Sequence, residues 1–337
     1  MSNIRDGLVT LITIFGVVAS AQAQERKTYG LELEGFEYPY EVRRFVFKSQ
    51  GADLQMGYMD VKPEGSPNGR TVVLLHGRNF CAVSWEQTIP VLSKAGYRVI
   101  APDQIGFCKS TKPAVYQFSI QELATNTNAL LNSLGISRAT LIGHSFGGMM
   151  SVRYALMFPD AVEQMVLVNP IGLEDWQAEG VPYLDMNKSL EFEKRTSFES
   201  IKGYERAIYY AGQWKPEYDR WVEMLAGMYH GPGRERILWN QTQIVNMATT
   251  QPVVHEFERI RVPTLLMIGQ LDRTAVGADR APPEVAKKLG NYPALGRAAA
   301  KRIPNAKLIE FPDLGHAPQI QAPDRFHEAL LKGLGEK

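Results

Sequence analysis

The stretch Gly143-His144-Ser145-Phe146-Gly147-Gly148, set between a short apolar run at 139–142 and a helical pattern at 146–157, restricts the fold of this chain most. Strand, tight turn and helix with G-x-S-x-G between them put a serine hydroxyl at the carboxyl end of a parallel strand. Gly143 and Gly147 leave room where a Cβ would clash, and Gly148 lets helix and sheet pack closely. The helix N-terminus offers N–H groups and positive dipole to a developing oxyanion. A hydroxyl attacks only when a base takes its proton. Ser145 as nucleophile therefore demands a histidine and an orienting acid elsewhere. His144 is read as a packing residue, because neighbours on a sharp turn point apart.

The flanking pattern alternates short apolar runs with helical stretches, which predicts βα units and a mostly parallel sheet with helices on both faces. Strands are expected at 44–48, 54–61, 71–75, 98–101, 139–142, 162–168, 264–268 and 307–311. Helices are expected at 84–94, 119–134, 146–157 and 323–334, the second opening on a capping box of Ser119 and Glu122. From about 170 to 258 the rhythm breaks into a helical, aromatic-rich segment without buried strands. An insert that emerges at the carboxyl ends of the strands reads as a cap over the site. The expected organisation is residues 24–170 as the first part of an α/β core, 171–258 as the cap and 259–337 as the second part. Trp176, Tyr183 and Tyr210 in or beside the cap are candidates for substrate contact.

The 337 residues are 45% hydrophobic, ample for a buried core. Net charge is +1 with no basic block, so nucleic acid is not an expected partner. Arg5, an apolar run at 7–19 and the ending Ala-Ser-Ala-Gln-Ala read as a signal peptide over residues 1–23, cleaved after Ala23 or Ala21. The apolar run, about 13 residues, is short of the roughly 20 that span a bilayer. A periplasmic or secreted protein is expected, with no stable membrane span after cleavage.

Six histidines could supply the base: His76, His144, His230, His255, His316 and His327. In this strand–turn–helix architecture the partners follow in the order serine, acid, histidine. His316 lies in a loop after a late strand and before the last helix, where a base should reach Ser145. His327 is expected on the surface of the final helix, and His230 and His255 lie in or near the cap. Asp272 follows the strand at 264–268 and is the expected acid; it would hold the His316 tautomer and stabilise the imidazolium. Asp279, in an apparent insert at 278–300, and Glu174 and Asp175 are rival acids.

The strand at 71–75 runs into His76-Gly77-Arg78-Asn79-Phe80. The oxyanion hole needs one N–H from this loop and one from the residue after the nucleophile. Those are Arg78 and Phe146. The Arg78 side chain is then free to pair with a nearby acid or to bind a substrate carboxylate. His76 and Asp103 read as loop bracing. Cys81 and Cys108 sit on loops after strands that neighbour each other in a doubly wound order; they could form a disulfide at the rim of the site or remain two buried thiols. No cysteine–histidine spacing suggests a metal site.

His76-Gly77, Asp103-x-x-Gly106-x-x-x-Ser110, Gly143-His144-Ser145-Phe146-Gly147-Gly148, Asp272 and Gly315-His316-x-Pro318 together resemble the α/β-hydrolase superfamily, in its fold-1 group. The resemblance covers roughly residues 45–334. It implies an eight-stranded sheet with a helical cap. Epoxide hydrolases and haloalkane dehalogenases of this group carry aspartate at the nucleophile position, where this chain has Ser145. The leading reading is a serine hydrolase that cleaves a carboxylic ester through an acyl-enzyme, acting on a small molecule with an apolar portion and needing neither metal nor organic cofactor. The same triad on an amide, lactone or carbon–carbon bond is the alternative within the class. A non-catalytic binding protein is the alternative outside it.

Overall fold

A computed structural model describes residues 27–335; the expected signal peptide lies outside the described residues. The strands are β1 (Val42–Ser49), β2 (Ala52–Val61), β3 (Thr71–Leu75), β4 (Arg98–Pro102), β5 (Ala139–His144), β6 (Val162–Val168), β7 (Thr264–Gly269) and β8 (Ala306–Phe311). They form one eight-stranded sheet in the order β1-β2-β4-β3-β5-β6-β7-β8. The pairs β1·β2 and β2·β4 are antiparallel and all others parallel. β5 and β7 are buried at every residue, so they read as continuous apolar runs rather than as alternation.

Helices cover both faces because each parallel step needs a crossover. These are α1 (Thr88–Lys94), α2 (Ile120–Ser133), α3 (Phe146–Met157) and, after the cap, α8 (Pro283–Ala286), α9 (Tyr292–Arg302), α10 (Pro318–Gln321) and α11 (Pro323–Gly335). Successive strand residues feed opposite cores. Val73, Leu75, Leu141 and Leu167 pack with α2, α3 and α9. Val72, Leu74, Ile142 and Val166 pack with α1 and α11.

Between β6 and β7 the chain forms α4 (Met186–Glu193), α5 (Phe198–Tyr204), a π-helical turn Glu205–Tyr209, α6 (Asp219–Tyr229) and α7 (Arg234–Thr250). No strand occurs in this segment among the described residues.

Three local expectations are corrected. The stretch 278–300 is no insert: it contains most of α9, the crossover that a parallel β7–β8 pair requires. His327 is buried and bonds Thr88 Oγ1 at 3.0 Å, because its helix face is the one turned to α1. The α2 cap is half a box. Ser119 Oγ accepts the Glu122 N–H, but the Glu122 carboxylate accepts from Ser49 Oγ.

Candidate active site

Ser145 stands between β5 and α3 with φ 54° and ψ −117°, a conformation that L-residues avoid. The surrounding packing enforces it. The Ser145 N–H donates to Val168 O at 3.0 Å, and Ser145 O accepts from Gly148 N at 2.9 Å. A Cβ on Gly143 would lie 2.2 Å from Gly147 O, and one on Gly147 2.2 Å from Leu75 O. Only glycine lets strand, turn and helix approach this closely.

Asp272 and His316 arrive on the loops that follow β7 and β8, at the same end of the sheet. His316 Nδ1 donates to Asp272 Oδ2 at 2.6 Å, with both side chains fully buried. Asp272 Oδ2 also accepts from Asn169 Nδ2 at 2.8 Å, and Oδ1 from the Thr274 N–H at 2.8 Å. Thr274 Oγ1 lies 3.0 Å from His316 Nδ1. A carboxylate fixed on both oxygens orients the imidazole and places its proton on Nδ1. Nε2 then carries the lone pair, and it has no partner among the described residues. In this conformation Ser145 Oγ and His316 Nε2 are not hydrogen-bonded to each other; such bonds often tighten only with substrate present.

His144 does not compete for the role of base. Its Nε2 sits 2.9 Å from the His316 backbone oxygen. Burial, reinforced by the neighbouring His316, holds its pKa well below the ordinary histidine value. It packs the loop under His316 as a neutral ring.

The front loops are braced by buried groups. His76 Nδ1 lies 2.9 Å from Gly77 O, and His76 Nε2 accepts from the Gln104 N–H. Asp103 accepts from Ala82 N–H, Tyr38 O–H and Lys109 N–H. Cys81 and Cys108 are joined by a disulfide with Cα atoms 5.8 Å apart. Asp103 lies close to both sulfurs, but their bond to each other leaves no thiolate for a metal. The backbone N–H groups of Arg78 and Phe146 have no acceptor among the described residues. They stay available to an oxyanion. The Arg78 guanidinium reaches Glu193 Oε1 of α4 at 2.6 Å, and Glu193 Oε2 accepts from Tyr229 O–H of α6 at 3.2 Å. The arginine thus pairs with a cap carboxylate.

The rival acids are committed elsewhere. Asp175 bonds His255 Nε2 at 2.8 Å. Glu174 accepts from Trp176 Nε1 and from the Gly290 N–H. Asp279 lies in a short helical turn, 278–280, with no bond to His316.

Trp176, Tyr183 and Tyr210 are not brought to Ser145. Trp176 and Tyr183 line a surface hollow with Asn246 and Arg280. Tyr210 is stacked on Tyr218 inside the cap at 3.9 Å between centroids. The aromatic ring packed closest to His316 is that of Tyr209, with centroids 4.4 Å apart. Its carbonyl accepts the His316 backbone N–H at 2.9 Å. Sequence reasoning missed this residue, because nothing in a run of cap tyrosines marks the one facing inward. Thr274 was more legible: an aspartate followed two residues on by threonine is a turn pattern in which the carboxylate takes the later N–H. Asn169, directly after β6, had a similar positional signal.

The model of the alpha/beta hydrolase fold family matches residues 70–323. The chain belongs to this family. A solved structure from Pseudomonas aeruginosa PAO1, titled a probable hydrolytic enzyme, is 58% identical, covers 92% of this chain and 99% of its own, and superposes with a TM-score of 0.91. Two curated relatives match over shorter stretches. The bifunctional epoxide hydrolase 2 of Sus scrofa is 34% identical over 34% of this chain and 22% of its own length. The 2-hydroxy-6-oxo-2,4-heptadienoate hydrolase of Pseudomonas putida is 29% identical over 42% of this chain and 45% of its own. The chain therefore spans less than half of either. No helix among the described residues is long and apolar enough to cross a membrane.

Proposed function

We propose that this hydrolase uses Ser145, His316 and Asp272 as a catalytic triad and cleaves a carboxylic ester through an acyl-enzyme. The carrying observation is the 2.6 Å bond from His316 Nδ1 to Asp272, fully buried, with Nε2 left unpartnered. Ser145 attacks the carbonyl as His316 Nε2 takes its proton. The Arg78 and Phe146 N–H groups hold the oxyanion, and the alcohol leaves with the proton from His316. Water activated by His316 then releases the acid.

The disulfide supports an oxidising compartment, and with the N-terminal pattern we place the protein in the periplasm or outside the cell. The similarity to a 2-hydroxy-6-oxo-2,4-heptadienoate hydrolase supports a second reading, the same triad acting on an amide, lactone or carbon–carbon bond.

A fluorophosphonate probe tests the nucleophile. Labelling of Ser145 in folded protein and its loss in Ser145→Ala support the triad; an unlabelled wild type refutes it. Turnover of ester, anilide, lactone and vinylogous diketone panels then ranks the bond types, with fastest turnover expected for esters.

A further inference from the structure

The proton on His316 Nδ1 has two oxygens within reach. Asp272 Oδ2 lies 2.6 Å from Nδ1, and Thr274 Oγ1 lies 3.0 Å from it. Thr274 is buried with both of them. Its place is fixed by the same turn, because its own N–H donates to Asp272 Oδ1 at 2.8 Å. One residue therefore holds the acid through its backbone and faces the histidine with its hydroxyl.

The turn does not need that hydroxyl. The backbone N–H completes it, and valine would fill nearly the same volume. What Oγ1 adds is a lone pair opposite an N–H. The carboxylate by itself is a shared acceptor: Asp272 Oδ2 also accepts from Asn169 Nδ2 at 2.8 Å. Each further donor draws on the charge that the imidazole meets. A contact from Nδ1–H to Oγ1 strengthens when the ring becomes imidazolium, since a charged donor makes a hydrogen bond roughly twice as strong as a neutral one. An interaction that is stronger in the transition state than in the ground state lowers the barrier.

The neighbours of this contact bring no competing charge. The rings of Tyr209, of His144 on β5 and of Tyr292 on α9 face His316 with centroids 4.4, 4.9 and 6.2 Å away. Tyr204 of α5 lies beside the Thr274 hydroxyl. Tyrosines are neutral near pH 7, and burial keeps His144 neutral. Asp272 is the charge that faces the ring.

We propose that Thr274 is a positioning residue of the triad. Its hydroxyl accepts a second branch of the His316 Nδ1–H bond, fixes the ring and stabilises the imidazolium that forms when Ser145 loses its proton. This rests on Ser145, His316 and Asp272 acting as the triad.

The test compares wild type, Thr274→Val and Thr274→Ser on 4-nitrophenyl butyrate from about pH 5 to pH 9. Valine removes the acceptor and so disfavours the imidazolium. The base of the free enzyme then gives up its proton at lower pH, which the acidic limb of kcat/KM reports. In Thr274→Val, kcat should fall about tenfold or more, the scale of a hydrogen bond to a charged group. KM should stay within about twofold, and the limb should move down by half a pH unit or more. Thr274→Ser should restore both kcat and the limb. That set of results supports the proposal. Overturning it takes a Thr274→Val kcat within threefold of wild type, a loss with an unmoved limb, or a loss that serine does not restore. Should Thr274→Val not fold, Thr274→Ala replaces it under the same criteria. Fluorophosphonate labelling runs alongside. Labelled Ser145 with an indifferent Thr274→Val sinks this inference alone, whereas an unlabelled wild type sinks the triad and this inference with it.

Discussion

His316 donates its backbone N–H to the Tyr209 carbonyl at 2.9 Å and lies against the Tyr209 ring, with centroids 4.4 Å apart. The contact is close on the loop side too: a Cβ on Gly315 would meet Tyr209 O at 2.2 Å. The helical segment between β6 and β7 is therefore part of what positions His316, the proposed base. Tyr209→Phe keeps the ring and the carbonyl and should retain activity within about threefold. Tyr209→Ala removes the packed ring. It should cost about 3–5 kcal/mol of stability and lower kcat by roughly a hundredfold through misplacement of the imidazole. Thermal unfolding and steady-state kinetics of the two variants check this; equal kcat in both would separate Tyr209 from the base.

Asp272→Asn keeps the shape of the acid and removes its charge. The amide can present its N–H to Nδ1, which favours the tautomer with the proton on Nε2. A loss in kcat of about 10⁴ is expected on the triad assignment, with KM changed little. Steady-state kinetics on the ester panel measures it, and a loss below tenfold would remove Asp272 from the mechanism.

The alternation of apolar runs marked every strand, and the turn around Ser145 marked the end of the sheet where the site lies. The pairing of His316 with Asp272 was legible because their loops follow β8 and β7, and chain order carries that information. The cap contacts were not legible. Tyr209, Glu193 and Tyr229 belong to helices whose packing is set by three-dimensional complementarity, not by a period of 2 or 3.6. Trp176, Tyr183 and Tyr210 were chosen by side-chain type alone, and type does not say which way a residue faces. The stretch 278–300 looked like an insertion because α9 is less apolar than the strands it joins; its Gly296 and Ala299 pack on the sheet side.

The Arg78–Glu193 pair joins the loop after β3 to α4, with 28% of the arginine side chain and 8% of the glutamate exposed. Glu193→Ala leaves a largely desolvated guanidinium and the Tyr229 hydroxyl without their acceptor. A loss of about 1–3 kcal/mol is expected, reduced from the fully buried case because the arginine retains some solvent. Urea unfolding gives the value. If Arg78 also steadies its own backbone N–H, Glu193→Ala should lower kcat more than it raises KM.

The Cys81–Cys108 disulfide closes a loop with a sequence separation of 27. Chain entropy assigns such a cross-link about 3–4 kcal/mol. Thiol titration of the unfolded protein should find no free thiol without reductant and two with it. Cys81→Ala/Cys108→Ala should unfold at lower denaturant by an amount in this range, and an unchanged midpoint would show that the loops hold without the bond.

Glu205 heads the π-helical turn that carries Tyr209, fully buried, with neither carboxylate oxygen partnered among the described residues. Burial holds its carboxyl well above the usual carboxylate range, so the folded protein keeps the proton that the unfolded chain loses near pH ~4.3. Raised in the folded state, this group contributes stability that is fully present below the unfolded pKa and is lost as pH rises through the folded one. Glu205→Gln copies the neutral acid at every pH. Wild type and variant should unfold at similar temperatures at pH 4. At pH 8 the variant should be the more stable by about 1–3 kcal/mol, a shift of a few degrees. Calorimetry across this range decides the matter. A constant difference between the two proteins would mean that Glu205 is ionised in the fold and that the turn opens to water.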